Sequence, residues 1–444
     1  MKTCRGPKRN LITRGWLVAG LLLLQGCATY SQSFYPVESK LVNQDPAGAL
    51  QQLEKQGYDD KDQLLFLLNK AMLQRMQNDF QGSNQTLEQA KGVIEAYSAL
   101  SVTEQAGSFI INDSTRTYTG TPLDQVMLHT YAALNYLQLK NLDAARVEIL
   151  QINLLLRKQM ADAPNSALSV DPFSRYLAGM VYEDLGEYSD AMIAYRNALQ
   201  AYQTHRKELY PLTIPETLKT DLLRSAKRIG LDNEYQKLSQ EFNIKESAPG
   251  ATNAQLGEVV LLFQNGLAPV MREKSAGLVD PGSGQLIRIS LPYYQDRPKP
   301  VLHVRVSAGD TSQDSEVVEQ IDAIDHATLK AYLPAISARA LARGVMKYKA
   351  AKEAGKNNGW AGLLVNIAGF VTEQADTRSW LTLPAEIQMA RLPLAAGEHE
   401  ISISLLGHHD QVIRTVKLGQ VNVIAGKRQY MSYHYIPSYT IARH

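Results

Sequence analysis

Ligand-like side chains cluster densely at one place, His408-His409-Asp410, where two imidazoles and a carboxylate offer donors of the kind that hold a divalent cation. Neighbouring residues on a turn point in different directions, so the run reads as a solvated hairpin in preference to a metal centre. Paired acids stand at Asp59-Asp60 and Glu183-Asp184. A glycosidase needs two carboxyls across a cleft of about 5–10 Å, and the sequence indicates no such cleft. Both cysteines, Cys4 and Cys27, precede residue 30, which leaves no thiol for a disulfide, a nucleophile or a zinc site further on. There is no nucleophile elbow, no phosphate-cradling Gly-Lys-Ser/Thr loop, no His-Glu-x-x-His and no dinucleotide fingerprint. The expectation is a non-enzymatic protein without metal or cofactor.

What such a chain does then depends on the elements that position its binding residues. Its 444 residues are 45% hydrophobic and 20% charged, with a formal net charge of +2, the make-up of a globular protein with room for two or three domains. Lys2, Arg5, Lys8, Arg9 and Arg14 stand in a leading segment, 1–26, that has no acid, so the body that follows is close to neutral. A duplex-binding protein needs a clustered basic excess to neutralise phosphates, and nucleic acid is not an expected partner.

After Arg14 the chain turns apolar from Gly15 to Leu24 and then reads Leu24-Gln25-Gly26-Cys27. The order of basic and apolar regions is that of a secretory signal, and the apolar run is about half the roughly twenty residues of a spanning helix. The last four residues resemble the bacterial lipobox. That resemblance implies cleavage before Cys27 and acylation of it, with residues 1–26 removed and 27–44, rich in Ser, Gln and Tyr, left as a lipidated tether. Ala28 stands where retention in the inner membrane typically shows Asp, so the resemblance implies the outer membrane, facing the periplasm.

Residues 45–245 carry helical self-similarity. The clearest unit, 171–199, has Gly179, Tyr182, Gly186, Tyr188, Ala191, Tyr195 and Ala198, a spacing that resembles the tetratricopeptide repeat. Gly179 and Ala191 let two antiparallel helices approach, Tyr182 and Tyr195 fill the space between them, and Gly186 ends the first helix. Weaker units cover 126–158, 64–97 and the stretch from Pro215 to Phe242. Stacked repeats leave a concave face, and in the clearest unit Tyr176, Met180, Glu183 and Asp184 would line it. These four read either as packing residues or as a groove for a helix or extended peptide of basic character.

Tyr118-Thr119-Gly120, the run Val126-Met127-Leu128-His129-Thr130-Tyr131, and downstream Glu373-Gln374-Ala375-Asp376-Thr377-Arg378-Ser379-Trp380 with Ala390-Arg391 resemble a family of bacterial outer-membrane lipoproteins with tetratricopeptide-like repeats. The resemblance covers most of the chain after the signal and implies location and architecture but no reaction. It also implies a general envelope role beside other lipoproteins and the peptidoglycan-synthesis machinery.

From residue 250 to 444 short strands replace the helical pattern: 257–264, 285–292, 301–307, 400–406, 411–418, 420–424 and 428–436, with Leu302-His303-Val304-Arg305-Val306 alternating at period two. A helical insertion covers about 315–375, interrupted at Pro334. Within it Arg339, Arg343 and Lys347 recur every four residues, either as a solvated face or as a contact for anionic lipid or glycan. Residues 360–371 are the most apolar stretch after the signal and read as a core helix, a subunit contact or a membrane contact.

The expected fold class is α+β: an N-terminal tetratricopeptide-like α-solenoid, then a β-rich, sandwich-like C-terminal domain with inserted helices. The expected function is an outer-membrane lipoprotein scaffold that binds envelope proteins in the periplasm and meets the membrane through its lipid. The alternative is a glycan- or peptidoglycan-associated structural protein that binds through its β-domain.

Overall fold

The computed structural model describes residues 29–98, 115–162, 171–208, 212–244, 255–279, 285–357, 359–371 and 373–441. The expected signal segment and Cys27 lie outside the described residues.

Eight helices pair in sequence order: α4 (Gln63–Met76) with α5 (Phe80–Ser98), α6 (Pro122–Gln138) with α7 (Leu142–Asp162), α8 (Pro172–Asp184) with α9 (Tyr188–Glu208), and α10 (Glu216–Arg228) with α11 (Asp232–Phe242). Local chemistry sets their ends. Thr121 and Asp124 form a capping box at the start of α6, and Asp171 accepts a 2.7 Å hydrogen bond from Ser174 N at the start of α8, each with proline in the first turn. The turn inside every pair holds one residue with positive φ: Asn78, Lys140, Gly186 and Gly230. The four expected units are thus built around the same left-handed helix stop, although only two of them use glycine for it. Buried apolar residues on the first helices, such as Leu68 and Met72 of α4, Met127 and Leu134 of α6 and Leu177 of α8, form one continuous core.

The expected tether is corrected from Thr29 onward. Tyr30–Ser33 (α1), Tyr35–Val42 (α2) and Pro46–Gln56 (α3) are helices, and Phe34, Val37 and Leu41 are buried against Leu73, Leu267, Val270, Leu381 and Ile436. The polar composition of this stretch hides an i, i+3, i+7 apolar series.

Among the described residues ten strands follow: β1 (Leu256–Asn265), β2 (Val270–Val279), β3 (Leu286–Gln295), β4 (His303–Ala308), β5 (Thr311–Asp314), β6 (Glu316–Gln320), β7 (Glu386–Ala395), β8 (Gly397–Leu406), β9 (Val412–Val423) and β10 (Arg428–Tyr435). Sheet A has the order β10-β1-β7-β6, with β1 and β10 parallel, and sheet C has the order β5-β4-β8-β9; β2 and β3 form a separate hairpin. Val259, Leu261 and Phe263 from sheet A meet Val304, Val306, Ile401 and Ile403 from sheet C in a second core. Alternation sends the other residues of sheet A, Val260, Leu262, Ile387 and Met389, into the core of the helix pairs. The order of layers is therefore helices, sheet A, sheet C.

Two boundaries differ from the sequence reading. The expected strands 411–418 and 420–424 are one strand, β9, whose register against β8 shifts at Gly419, a residue with φ of +107°. The long helix α12 (Ile321–Asn357) runs through Pro334, which is solvent-exposed, before α13 (Gly359–Val371) folds back along it. Solvent hydrates the carbonyl that the proline leaves without its usual donor.

Candidate functional site

The first helices of the pairs line one side of the array, and sheet A of the same chain covers that side. Tyr176, Met180, Glu183 and Asp184 are brought together on α8 as the spacing predicts, but they are not an open groove. Tyr176 and Met180 are fully buried and Glu183 is 8% exposed. Facing them are Arg391 of β7 and Arg428 of β10, on two separate strands of the C-terminal domain, so this face is packed within the chain.

The contacts are charge-assisted throughout. Arg391 donates to Asp221 Oδ2 at 2.5 Å, to Tyr176 Oη at 3.2 Å and in bidentate fashion to Glu258 at 2.9 and 2.7 Å. Arg428 donates to Glu183 Oε2 at 2.5 Å, to Asp184 Oδ1 at 2.7 Å and to Glu258 Oε2 at 3.2 Å. Arg224 of α10 closes the set with two bonds to Glu183, at 2.9 and 2.7 Å. Burial opposes ionisation of Glu183, Asp221 and Glu258, yet the guanidinium groups outweigh it and hold all three below the ordinary carboxylate range. Burial prevails at Asp184 and raises it, even with Arg428 alongside. These arginines bond chiefly to carboxylates, and the network is a seam between two halves of the chain.

A second acidic contact across the seam has the opposite sign. Glu319 of β6 accepts from Phe173 N at 3.3 Å and lies beside Asp171, both carboxyls buried. Burial, then the neighbouring Asp171 charge, pushes Glu319 well above the ordinary range. The folded state therefore keeps a proton that the unfolded state releases. The stability it contributes is fully present below the unfolded pKa and is lost as pH rises through the folded one. The stability from Glu183, Asp221 and Glu258 is present above the unfolded carboxylate pKa and lost as pH falls through their lowered values. Glu319→Gln is expected to flatten the fall in melting temperature that begins as pH rises past the ordinary carboxylate range, and to leave the limb below that range unchanged. An unchanged fall above that range would show that Glu319 carries no excess proton.

The expected stripe Arg339, Arg343 and Lys347 is not a solvated face. Arg343 is 1% exposed and bonds Glu373 Oε1 at 3.2 Å, while Lys347 Nζ reaches Glu373 Oε2 at 2.7 Å. Glu373 is itself buried. Arg339 and Arg343 instead border a cavity of about 330 Å³ walled by the 116–121 segment, the β2–β3 hairpin, α12 and the segment 375–378. Arg116, Arg339, Arg343 and Arg378 line it with one acid, Asp376. Arg378 is matched, to Asp376 at 2.7 Å and Asp62 at 3.2 Å, and also donates to Arg116 O at 2.7 Å. The side chains of Arg116 and Arg339 have no acceptor among the described residues, and Arg339 Nε is buried without one. Tyr118 beneath is fixed by a 2.5 Å bond to Asp124. The cavity thus joins Tyr118-Thr119-Gly120 to Arg339 and Arg343 of the basic stripe and to the 375–378 part of the downstream motif, both more than 200 residues further along the chain.

Sequence reasoning missed Arg224, Asp221, Glu258, Arg391 and Arg428 as one network, and Arg116 as a cavity residue. The turn at His408–Asp410 is exposed, and Asp410 lies 3.4 Å from His303. Among the described residues no group of three or more His, Cys, Asp or Glu is placed to hold a metal ion.

No protein-family model matches the chain, and no curated protein matches it. Among solved structures, the apo form of RapI aligns with a TM-score of 0.35 and 11% identity over 52% of this chain, which spans 56% of the length of RapI. MamA from Desulfovibrio magneticus RS-1 aligns with a TM-score of 0.29 and 14% identity over 47% of this chain and 87% of its own. A MamA RS-1 ArsTM double mutant gives 0.30 and 13% over 49% and 97%. Likenesses of this size cover about half of the chain and bear on no functional assignment.

Proposed function

We propose that the protein is a non-enzymatic lipoprotein scaffold of the bacterial outer membrane, anchored through Cys27 and facing the periplasm, that holds an envelope partner by an acidic group seated in the arginine cavity. The observation that carries this reading is the pair Arg116 and Arg339: two guanidinium groups at one cavity without acceptors among the described residues, beside Arg343 and Arg378, which are paired with acids. An arginine pair presents parallel N–H donors suited to a carboxylate or phosphate. The partner side of the concave face is not available for this role, because sheet A fills it.

The double variant Arg116→Ala/Arg339→Ala is expected to lower partner capture in crosslinked living cells by about tenfold or more, since hydrogen bonds to charged groups contribute about 1.5–3 kcal/mol each. Its thermal melt should match the wild type, because neither side chain has an acceptor among the described residues. Equal recovery of partners from the double variant and the wild type would remove the cavity from consideration as the binding site.

A further inference from the structure

The arginine cavity carries more positive charge than its own acids neutralise. Arg116, Arg339, Arg343 and Arg378 line it. Asp376 and Asp62 bond Arg378, and Glu373 is shared by Arg343 and Lys347. Five cations thus face three acids, an excess of two. The acids bonded to other lining residues are engaged elsewhere: Asp124 accepts from Tyr118 Oη at 2.5 Å and from Thr121 N at 2.8 Å, and Glu273 pairs with Arg288 at 2.6 Å. The excess falls on Arg116 and Arg339, whose side chains have no acceptor among the described residues. A monocarboxylate would neutralise only one of these charges. A phosphate monoester carries about −1.5 to −2 at pH 7 on three acceptor oxygens, enough for both.

The two guanidinium groups stand on different walls. Arg116 belongs to the segment that leads into α6, and Arg339 is on α12, which packs on β3. An anion between them would bridge the helix pairs to the C-terminal part of the chain. Much of the remaining wall is apolar: Met271 of β2, Pro292 of β3, and Leu329 and Ile336 of α12. Leu329, Ile336, Arg339 and Arg343 recur at helical spacing on one face of α12, so alkyl and guanidinium groups of this helix border the same space. At about 330 Å³ the cavity lies at the small end of the roughly 300–1,000 Å³ typical of small-molecule sites. That is the scale of a charged head with a short apolar neighbour.

We propose that the cavity takes a phosphate monoester with an apolar substituent, the phosphate bridging Arg116 and Arg339 and the substituent lying against Met271, Pro292, Leu329 and Ile336. This rests on the reading that an acidic group seats between the two arginines, and it narrows that group to a dianion on an apolar stem.

The test titrates the full chain with hexyl phosphate, hexanoate and inorganic phosphate by calorimetry, at constant ionic strength and about two pH units above the second phosphate pKa of about 6, where the monoester is a dianion. Hexyl phosphate is expected to bind about tenfold or more tightly than hexanoate, which has one charge, and than inorganic phosphate, which has no apolar part. Arg116→Ala and Arg339→Ala should each weaken it about tenfold or more. Hydrogen exchange should slow on binding both in 116–121 and in α12 around Arg339. Phosphatidylcholine vesicles with phosphatidic acid distinguish the source. Arginine-dependent binding to them identifies a membrane lipid, and its absence beside intact hexyl phosphate binding identifies a soluble monoester. Hexanoate bound as tightly as hexyl phosphate, and lost in the same variants, would overturn the dianion and leave the acidic-group reading standing. Inorganic phosphate bound as tightly as hexyl phosphate would overturn the apolar substituent. Hexyl phosphate that fails to bind, or that binds both variants as it binds the wild type, would overturn the site, and partner capture in cells then judges the acidic-group reading separately.

Discussion

Arg391→Ala is expected to destabilise the protein by about 3–5 kcal/mol, the range found when one partner of a buried ion pair is removed and the other is left behind. The substitution strands Asp221, whose side chain is fully buried, and takes the bidentate partner from Glu258. Arg224 and Arg428 remain beside these acids and will recover part of the loss, which places the expected value toward the lower end of the range. Arg391→Met should be scarcely better, because it restores packing volume but leaves the same carboxylates uncompensated. The measurement is urea denaturation followed by the fluorescence of Trp380, which lies between the halves of the chain with its ring 6.1 Å from that of Tyr131 on α6. A loss below about 1 kcal/mol would place the seam in the class of exposed salt bridges.

The seam also marks the limit of what the sequence conveys. Helical spacing puts Tyr176, Met180, Glu183 and Asp184 on one face, where they read either as packing residues or as a groove for a helix or extended peptide of basic character. It holds no sign that the occupant is the chain itself, since Arg428 is 245 residues from Glu183. The strand that supplies Arg428 alternates Arg428, Tyr430, Ser432 and His434 with Gln429, Met431, Tyr433 and Tyr435. Neither series is clearly apolar, so period two does not tell which face is buried. Both are covered and at least half-buried: one faces sheet C, the other the helices.

The basic stripe fails as a sequence signal for a related reason. A four-residue recurrence of Arg339, Arg343 and Lys347 looks like a solvated helix face, because the compensating Glu373 lies beyond α13 in the chain and its burial depends on how α12 packs. The apolar run of α13 was legible as a helix, but its orientation was not. That is set by Gly362 and Asn366, whose small size and amide matter only once α12 and β3 are in place.

Gly179→Val should cost about 3 kcal/mol or more, and the loss should extend beyond the helix pair that contains it. A Cβ at this position would lie 2.3 Å from two carbons of the Tyr195 ring, so backbone or ring must move. The ring has no free direction: Tyr195 is fully buried, packs edge-on to Tyr176 with centroids 5.8 Å apart, and donates to Glu183 Oε2 at 2.8 Å. Shifting it disturbs Glu183, and through Glu183 both Arg224 and Arg428. A steric change between α8 and α9 is therefore transmitted to the docking of sheet A. The matching control is Gly92→Ala on α5, where an added Cβ meets nothing within 4 Å. Better helix propensity alone should stabilise that variant by up to about 1 kcal/mol. Denaturation followed both by helical circular dichroism and by Trp380 fluorescence distinguishes the two effects. The valine variant should lose both signals earlier than the wild type, and Gly92→Ala should hold both at least as long. If Gly179→Val unfolds the helices at lower denaturant but leaves the Trp380 transition in place, Tyr195 and Glu183 do not couple the helix pair to the seam.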